Sequence, residues 1–179
     1  ITEDPLHPDG FYSAFDSEGT CRQAVPLVEN GLAQGAVYDL RTGAAVGRNS
    51  TGHSPAPLEE ASSGPVPCSL FMDHADEEVE ALIAAVQRGL LITHFRNAEV
   101  VDLSRARLRG LACEGTFLIE NGVITNPVQD LHFEEDIWDA FRNIELISRE
   151  RKLVMQGLSH CTVVPALKLS RFNFTGSTS

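Results

Sequence analysis

The sequence contains neither a long apolar run nor a recognisable leader. Its 179 residues include no stretch that approaches the ~20 consecutive apolar residues needed by a membrane-spanning helix. The first residues, from Ile1 onward, lack the charged and apolar regions of a secretory signal peptide. We therefore expect neither a membrane span nor a signal peptide in this sequence.

Cysteine is sparse and lacks the spacing of a metal site. Cys21, Cys68, Cys113 and Cys161 form no CxxC pair and have no paired histidines beside them. Structural zinc sites and small disulfide frameworks both use characteristic cysteine spacings. We interpret the four residues as free thiols, and this favours a reducing, cytoplasmic compartment.

Basic residues are scarce in the first half of the chain. The formal net charge is −11, and residues 1–87 hold 14 acidic but only 3 basic side chains. Residues 88–179 hold 11 of each sign, without a dense basic stripe. Because phosphate would be repelled by the acidic half, we expect no direct contact with nucleic acid.

Several enzyme motifs are also absent. The sequence has no GxGxxG, GxxxxGK[ST], GxSxG or HExxH pattern. His74 and His132 have carboxylates beside them, but both lie where helices are predicted to begin, and acidic residues are expected there. From the sequence alone, the catalytic residues are unknown and no metal ligand is assigned to this chain.

One hairpin pattern occurs twice. The segments PLVENGLAQGAV (26–37) and FLIENGVITNPV (117–128) each place Glu-Asn-Gly between two apolar runs. Asn-Gly between β-prone runs predicts a type I′ turn, which requires a positive φ at both central residues. We predict that both hairpins have structural roles.

Helical periodicity is confined to two segments. DHADEEVEALIAAVQRG (73–89) and FEEDIWDAFRNIELIS (133–148) each predict an acid-capped amphipathic helix. A short helix or turn is predicted in DLRTGAAVGRNS (39–50), and an exposed proline-rich loop at 54–67. Strands are predicted in the segments LLITHF, AEVVDL, ARLRGL and TVVPALKLSRFNF. The order predicts one α+β domain over residues 1–179, mainly antiparallel β-sheet with two amphipathic helices.

Five blocks of sequence occur in an order that resembles a known family. They are ITEDP, FDSEGT, LVENGLAQGAVYDLRTGAAVGRNSTGH, GLACEGTFLIENGVITNPVQDLHF and VVPALKLSRFNFTG. In this order they resemble the C-terminal half of the modulator-of-DNA-gyrase proteins, the TldD/PmbA zinc-metalloprotease-like family. The resemblance extends from Ile1 to about Gly176, nearly the whole chain.

The resemblance implies a zinc ion that this chain does not hold by itself. Active members carry an HExxxH helix upstream of the block that begins here, in which two histidines bind zinc and glutamate acts as general base. Their third ligand is a cysteine near the C-terminus, and Cys161 is the cysteine in that neighbourhood. Because the chain begins with Ile1 rather than Met, we expect a fragment of a larger protein. Zinc is then implied for the complete protein or for its partner subunit.

Two main functions agree with this resemblance, and a third option is a family member that hydrolyses a peptide-like bond in a small molecule. In the first, the chain is the C-terminal domain of a zinc-dependent peptidase that acts on peptides or unfolded segments. In the alternative, it belongs to a non-catalytic partner subunit that shapes a shared peptide-binding cavity. Both imply a homologous or paralogous subunit in a homo- or heterodimer, with peptide as the substrate.

Four loop residues are the candidates for lining a substrate groove. Asp16 and Glu18 lie in the acidic lead-in, and Thr51 and His53 lie in the segment STGH. Short polar residues beside glycine, with a histidine that can donate or accept near neutral pH, suit the binding of a polar ligand. We therefore predict that these four residues contact substrate.

Overall fold

The chain folds mainly into short antiparallel strands, within the residues 1–55, 64–156 and 160–177 that the computed structural model describes. The strands are β1 (Thr2–Glu3), β2 (Val25–Pro26), β3 (Val28–Glu29), β4 (Leu32–Ala33), β5 (Ser69–Phe71), β6 (Arg88–Ile92), β7 (Phe95–Asp102), β8 (Arg107–Ala112), β9 (Thr116–Glu120), β10 (Val123–Pro127), β11 (Leu131–Asp136), β12 (Ile144–Gln156), β13 (His160–Leu169) and β14 (Phe174–Ser177). The helices are α1 (Leu40–Ala45), α2 (Val79–Ala84) and α3 (Ile137–Arg142). These elements confirm the predicted α+β class.

The chain forms two compact units. The first comprises residues 1–74 and 151–165, and the second comprises residues 75–150 and 166–179. The long strands β12 and β13 contribute residues to both units. That residues 1–179 form one domain stays a prediction.

The first unit is organised around the two-residue strand β1. The sheet order is β12-β13-β5-β1-β2, with β1 antiparallel to both of its neighbours. Glu3 of β1 lies opposite Val25 on one side and Leu70 on the other. Strand β13 runs parallel to β5, and this pairing brings Cys161 opposite Ser69. Strand β1, which lies between β5 and β2, therefore places the acidic side chain of Glu3 inside the first unit.

The second unit contains two antiparallel sheets, ordered β10-β9-β6 and β14-β11-β8-β7. Four phenylalanine rings cluster on the larger sheet with ring centroids 5.0 to 5.8 Å apart: Phe95, Phe133, Phe172 and Phe174. Gly110 lies opposite Phe133, and a Cβ at Gly110 would lie 2.8 Å from that ring. Glycine is therefore required where the aromatic ring covers the neighbouring strand.

Both predicted hairpin turns are present. Asn30 and Gly31 join β3 to β4 with φ of 51° and 77°, and Asn121 and Gly122 join β9 to β10 with φ of 52° and 77°. These positive φ values are those that a type I′ turn requires. The second turn also completes the end of α2, since the Gly122 N–H donates to the Val86 carbonyl at 2.8 Å. The second turn therefore has a specific structural role at the end of α2.

The predicted helix at 73–89 is much shorter in the structure. Helix α2 ends at Ala84, and residues 88–92 form β6 instead. In β6, Arg88 and Gly89 lie opposite Glu120 and Ile119 of β9, so the last residues of the predicted helix pair in a sheet instead. Cross-strand packing and the hairpin turn at the helix end override the local helical periodicity.

The predicted helix at 133–148 is also divided among three elements. Its first residues belong to β11, its middle forms α3, and Ile144 and Ile147 lie on β12. Arg107 of β8 explains the first part, because its guanidinium binds Asp136 at 2.6 Å and Glu134 at 3.5 Å across the strand pair. The acidic residues thus pair with a neighbouring strand, where the sequence suggested a helix N-terminus.

Two further sequence expectations concern the proline-rich loop and membrane-spanning helices. The proline-rich loop predicted at 54–67 falls largely on residues 56–63, which lie outside the described residues. Each of the three described helices has six residues, and none of them is long enough to span a bilayer.

Gly31 and Gly122 provide a matched pair of turn substitutions. Both have φ of +77°, but a Cβ at Gly31 meets open space, whereas one at Gly122 would lie 2.8 Å from the Ala84 carbonyl oxygen. We expect Gly31→Ala to lower the free energy of unfolding by about 1 kcal/mol through backbone strain alone. Gly122→Ala should cost at least about 1 kcal/mol more through the additional clash.

Urea denaturation of the two variants and the wild type measures this difference. Equal losses of stability would contradict the close packing of the second hairpin turn against α2.

Candidate functional site

A buried carboxylate lies at the centre of the first unit. The Glu3 side chain is 0% exposed, and Glu3 Oε1 accepts hydrogen bonds from the Cys68 and Ser69 amides at 3.0 and 3.1 Å. Oε2 accepts from the same Ser69 amide at 2.9 Å, and the Cys68 thiol donates to Oε1 at 3.2 Å. The strand pairing of β1 with β5 positions the carboxylate for these bonds. An isolated buried charge would be costly, and these donors offset that cost.

The environment of Glu3 favours its ionised form. Burial by itself raises the pKa of Glu3, but the hydrogen bonds from His53, Cys68 and Ser69 outweigh burial and hold the pKa below its usual value. The same surroundings act oppositely on the thiol: burial, followed by the nearby Glu3 charge, raises the pKa of Cys68 to about 12. Cys68 is therefore a protonated donor at neutral pH and not a nucleophile.

His53 connects this carboxylate to the loop that carries STGH. Its ring is 0% exposed, with Nε2 3.2 Å from Glu3 Oε1 and Nδ1 2.9 Å from Thr51 Oγ1. Gly52 has φ of +77°, and a Cβ there would lie 2.5 Å from the Cys21 carbonyl oxygen. Only glycine allows the loop to approach this closely. The loop histidine is therefore packed inside the unit.

Asp16 and Glu18 hold a second loop against the first. The Asp16 carboxylate accepts from the amides of Glu18, Thr20 and Ser54, at 3.0, 2.9 and 2.9 Å. The Ser54 bond links Asp16 to the residue that follows His53. Glu18 is exposed and accepts from the Leu40 amide at 3.0 Å, beside the start of α1. The structure thus brings all four predicted residues into one unit.

A cleft of ≈ 590 Å³ opens beside Thr51 in the first unit. Its wall also includes Gly35, Tyr38 and Arg48. Of the four predicted residues, Thr51 contributes to this wall, while His53 is covered and Asp16 is 8% exposed. Direct contact of all four residues with substrate stays a prediction.

The described residues do not fit the zinc ion that the resemblance implies. Among residues 1–55, 64–156 and 160–177, no three His, Cys, Asp or Glu side chains group closely enough to hold a metal ion. Cys161 is buried, accepts from the Phe11 amide at 3.2 Å and donates to Ser69 Oγ at 3.5 Å. This cysteine makes its hydrogen bonds within the core of the first unit.

Sequence reasoning missed Glu3, whose side chain makes the most hydrogen bonds in this site. Its segment ITEDP is acidic and contains turn-forming residues, a pattern that predicts irregular chain. Its partners Cys68 and Ser69 lie more than sixty residues away along the chain, and local pattern gives no sign of that pairing. The sequence places Thr51 and His53 close together, so one ring nitrogen of His53 can bind Thr51. The other ring nitrogen then requires a hydrogen-bond partner, and this requirement was the available signal for a buried group such as Glu3.

Replacement of Glu3 tests the importance of the buried carboxylate. Glu3→Gln removes the charge and turns an amide group toward N–H donors, so we expect the free energy of unfolding at pH 7 to fall by about 3 kcal/mol. Because the folded pKa of Glu3 is lowered, its stabilisation is present above the ordinary carboxyl pKa and is lost as pH falls through the folded value. The difference in the free energy of unfolding between the wild type and Glu3→Gln should therefore narrow below about pH 4.

Chemical denaturation from pH 7 to pH 3 measures the gap, with Glu29→Gln as the matched control on exposed strand β3. A stability difference that stays constant from pH 7 to pH 3, or a Glu3→Gln variant as stable as the control, would contradict stabilisation by the ionised Glu3 carboxylate.

Curated metalloproteases are similar to this chain over most of its length. The Metalloprotease TldD homolog of Haemophilus influenzae is 26% identical over 148 residues, which cover 82% of this chain and 30% of that protein. The Metalloprotease of Methanothermobacter thermautotrophicus is 24% identical over 162 residues, covering 90% of this chain and 34% of that protein. The chain therefore spans about a third of the length of these relatives.

Solved structures share the fold. TldE from Thermococcus kodakarensis superposes with a TM-score of 0.82 at 21% identity, covering 98% of this chain and 39% of that one. A putative modulator of a DNA gyrase from Thermotoga maritima gives a TM-score of 0.79 at 23% identity, covering 97% of this chain and 38% of that one.

The match to a family profile extends over nearly the whole chain. Residues 1–176 match the profile of the PmbA/TldA metallopeptidase C-terminal domain. This confirms the resemblance inferred from the five sequence blocks, and the chain belongs to the family of PmbA/TldA metallopeptidase C-terminal domains.

Proposed function

We propose that this chain is the C-terminal domain of a zinc-dependent peptidase that acts on peptides or unfolded segments in the cytoplasm. The observation that carries the proposal is the profile match over residues 1–176, together with relatives that are named metalloproteases. In the proposed protein, an HExxxH helix outside this chain holds the zinc, which supplies an activated water when bound.

The chain's own residues would then shape and support the substrate groove. The cleft beside Thr51 is open to solvent, and its wall combines glycine backbone with Tyr38 and Arg48. His53 supports this wall through its hydrogen bond to Thr51, and Asp16 holds the adjoining loop through the bond that it accepts from the Ser54 amide. Their part in substrate binding is therefore positional, while Thr51 and the exposed Glu18 are the candidates for direct contact.

The proposal is tested by the zinc content and activity of the complete protein beside those of the 179-residue chain. We expect the complete protein to bind one zinc ion per chain and to hydrolyse an unfolded peptide, and a chelator to abolish that hydrolysis. The isolated chain should hold no stoichiometric zinc and show no turnover, because its described residues bring no three ligands together.

One tightly bound zinc ion in the isolated chain would contradict this division of roles. A complete protein without zinc, active only when mixed with a homologous zinc-containing subunit, would instead establish the non-catalytic partner function.

We further propose that the complete protein works as a dimer with a homologous or paralogous subunit. Strand β7 is an edge of its four-stranded sheet, and apolar side chains on or beside it are exposed: Val100 by 56% and Leu103 by 85%. Exposed apolar edges are typical of surfaces that another chain or segment covers.

The mass of the complete protein in solution tests the proposed dimer. Light scattering should give twice the mass of one copy at micromolar concentration, or the mass of a heterodimer when a paralogous subunit is present. The mass of a single copy over a wide range of concentration, with any paralogous subunit added, would contradict the proposal.

A further inference from the structure

The cleft beside Thr51 differs in charge from the part of the chain that surrounds it. Residues 1–87 hold 14 acidic side chains but only 3 basic ones, which are Arg22, Arg41 and Arg48. Arg48 belongs to the wall of the cleft, and none of the described wall residues is acidic. The cleft therefore presents a positive charge within the acidic half of the chain.

The guanidinium of Arg48 is free to bind a ligand. Arg22 Nη1 donates to the Cys68 sulfur at 3.1 Å, and Arg41 interacts electrostatically with the Asp39 carboxylate. Arg48 is exposed, and its side chain has neither a hydrogen-bond partner nor an ion-pair partner in the described part of the chain. A cation without a counter-charge inside a cleft attracts anions to that place.

Three neutral side chains of the same wall are also able to donate hydrogen bonds. They are the amides of Gln34 and Asn49 and the hydroxyl of Tyr38. Among residues 1–55, 64–156 and 160–177, none of these three groups has a hydrogen-bond partner. The wall thus combines one charged donor with neutral donors whose bonding capacity is not used within the chain.

Backbone contacts hold the two sides of the cleft in place. The Arg48 amide donates to the Gly43 carbonyl at 2.8 Å, and a Cβ at Gly43 would lie 2.8 Å from the Arg48 carbonyl oxygen. The Thr51 amide donates to the Tyr38 carbonyl at 3.0 Å, and the Tyr38 amide donates to Thr51 Oγ1 at 2.7 Å. Because the backbone that carries these donors is already fixed, less ordering is needed when a ligand binds.

We propose that this cleft binds a carboxylate group of a peptide, and that Arg48 is the residue that selects for it. The proposal rests on the proposed peptidase function and specifies the class of peptide. A guanidinium offers its N–H groups in a fork that fits both oxygens of a carboxylate, and the neutral donors beside it can bind the remaining lone pairs. A peptide carries such a group at its C-terminus or on an aspartate or glutamate side chain.

The test uses the complete protein and three N-acetylated peptides of one sequence composed of glycine, serine and alanine. The first has an amidated C-terminus and no acidic residue, the second has a free C-terminal carboxylate, and the third has an amidated C-terminus and one internal aspartate. We expect at least one carboxylate peptide to bind about tenfold more tightly than the neutral peptide, because hydrogen bonds between charged groups are the stronger ones. The peptide that does so identifies the source of the carboxylate.

Substitutions at two exposed arginines show whether the preference belongs to the cleft. Arg48→Gln should reduce the preference to less than about twofold, and Arg48→Lys should retain part of it, because lysine keeps the charge but not the fork. Arg41→Gln is the matched control, since Arg41 is exposed on α1 and lies outside the described wall. This control should keep the full preference.

The preference is measured as a ratio of KM values if the complete protein hydrolyses the peptides, and as a ratio of Kd values by calorimetry if it does not. Equal affinity for the three peptides, a preference that survives in Arg48→Gln, or an equal loss in Arg41→Gln would overturn the proposal. Hydrolysis without a carboxylate preference would overturn this inference and leave the peptidase function in place. Binding that selects carboxylate through Arg48, without hydrolysis, would support this inference and count against the peptidase function.

Discussion

The first unit depends on the hydrogen bonds that satisfy the buried Glu3 carboxylate. Its donors come from two distant segments, the amides at 68–69 before and within β5 and the His53 ring in the STGH loop. A charged group in this position is tolerated only while these donors stay in place. The carboxylate therefore ties β1 to the start of β5 and, through His53 and Thr51, to one wall of the cleft.

The local features of the fold could be predicted from the sequence, whereas the long-range features could not. Asn30-Gly31 and Asn121-Gly122 predicted their turns because a type I′ turn is determined by adjacent residues. The helix at 73–89 was predicted too long, since its last residues, Arg88 and Gly89, pair with β9 in a sheet. Only tertiary pairing decides where such a helix gives way to a strand.

The candidate site, like the fold, could be predicted only where it depends on residues that are close together along the chain. Thr51 and His53 could be proposed from a glycine-bearing loop, but their burial and the role of Glu3 follow from contacts more than forty residues apart along the chain. The family resemblance could be recognised because five blocks occur in order, and the profile match over residues 1–176 confirms it. The groove role of the loops is a proposal consistent with this architecture, in which the described residues supply support and shape.

The ionisation of Glu3 in the folded chain is the most direct test of this account. Carboxyl ¹³C NMR with selectively labelled glutamate reports it, and Glu3→Gln identifies the signal. The account predicts that the Glu3 carboxyl is ionised at pH 5 and titrates below the usual value of 4.5 for glutamate. A Glu3 carboxyl that is protonated at neutral pH would contradict the hydrogen-bonded anion on which the first unit depends.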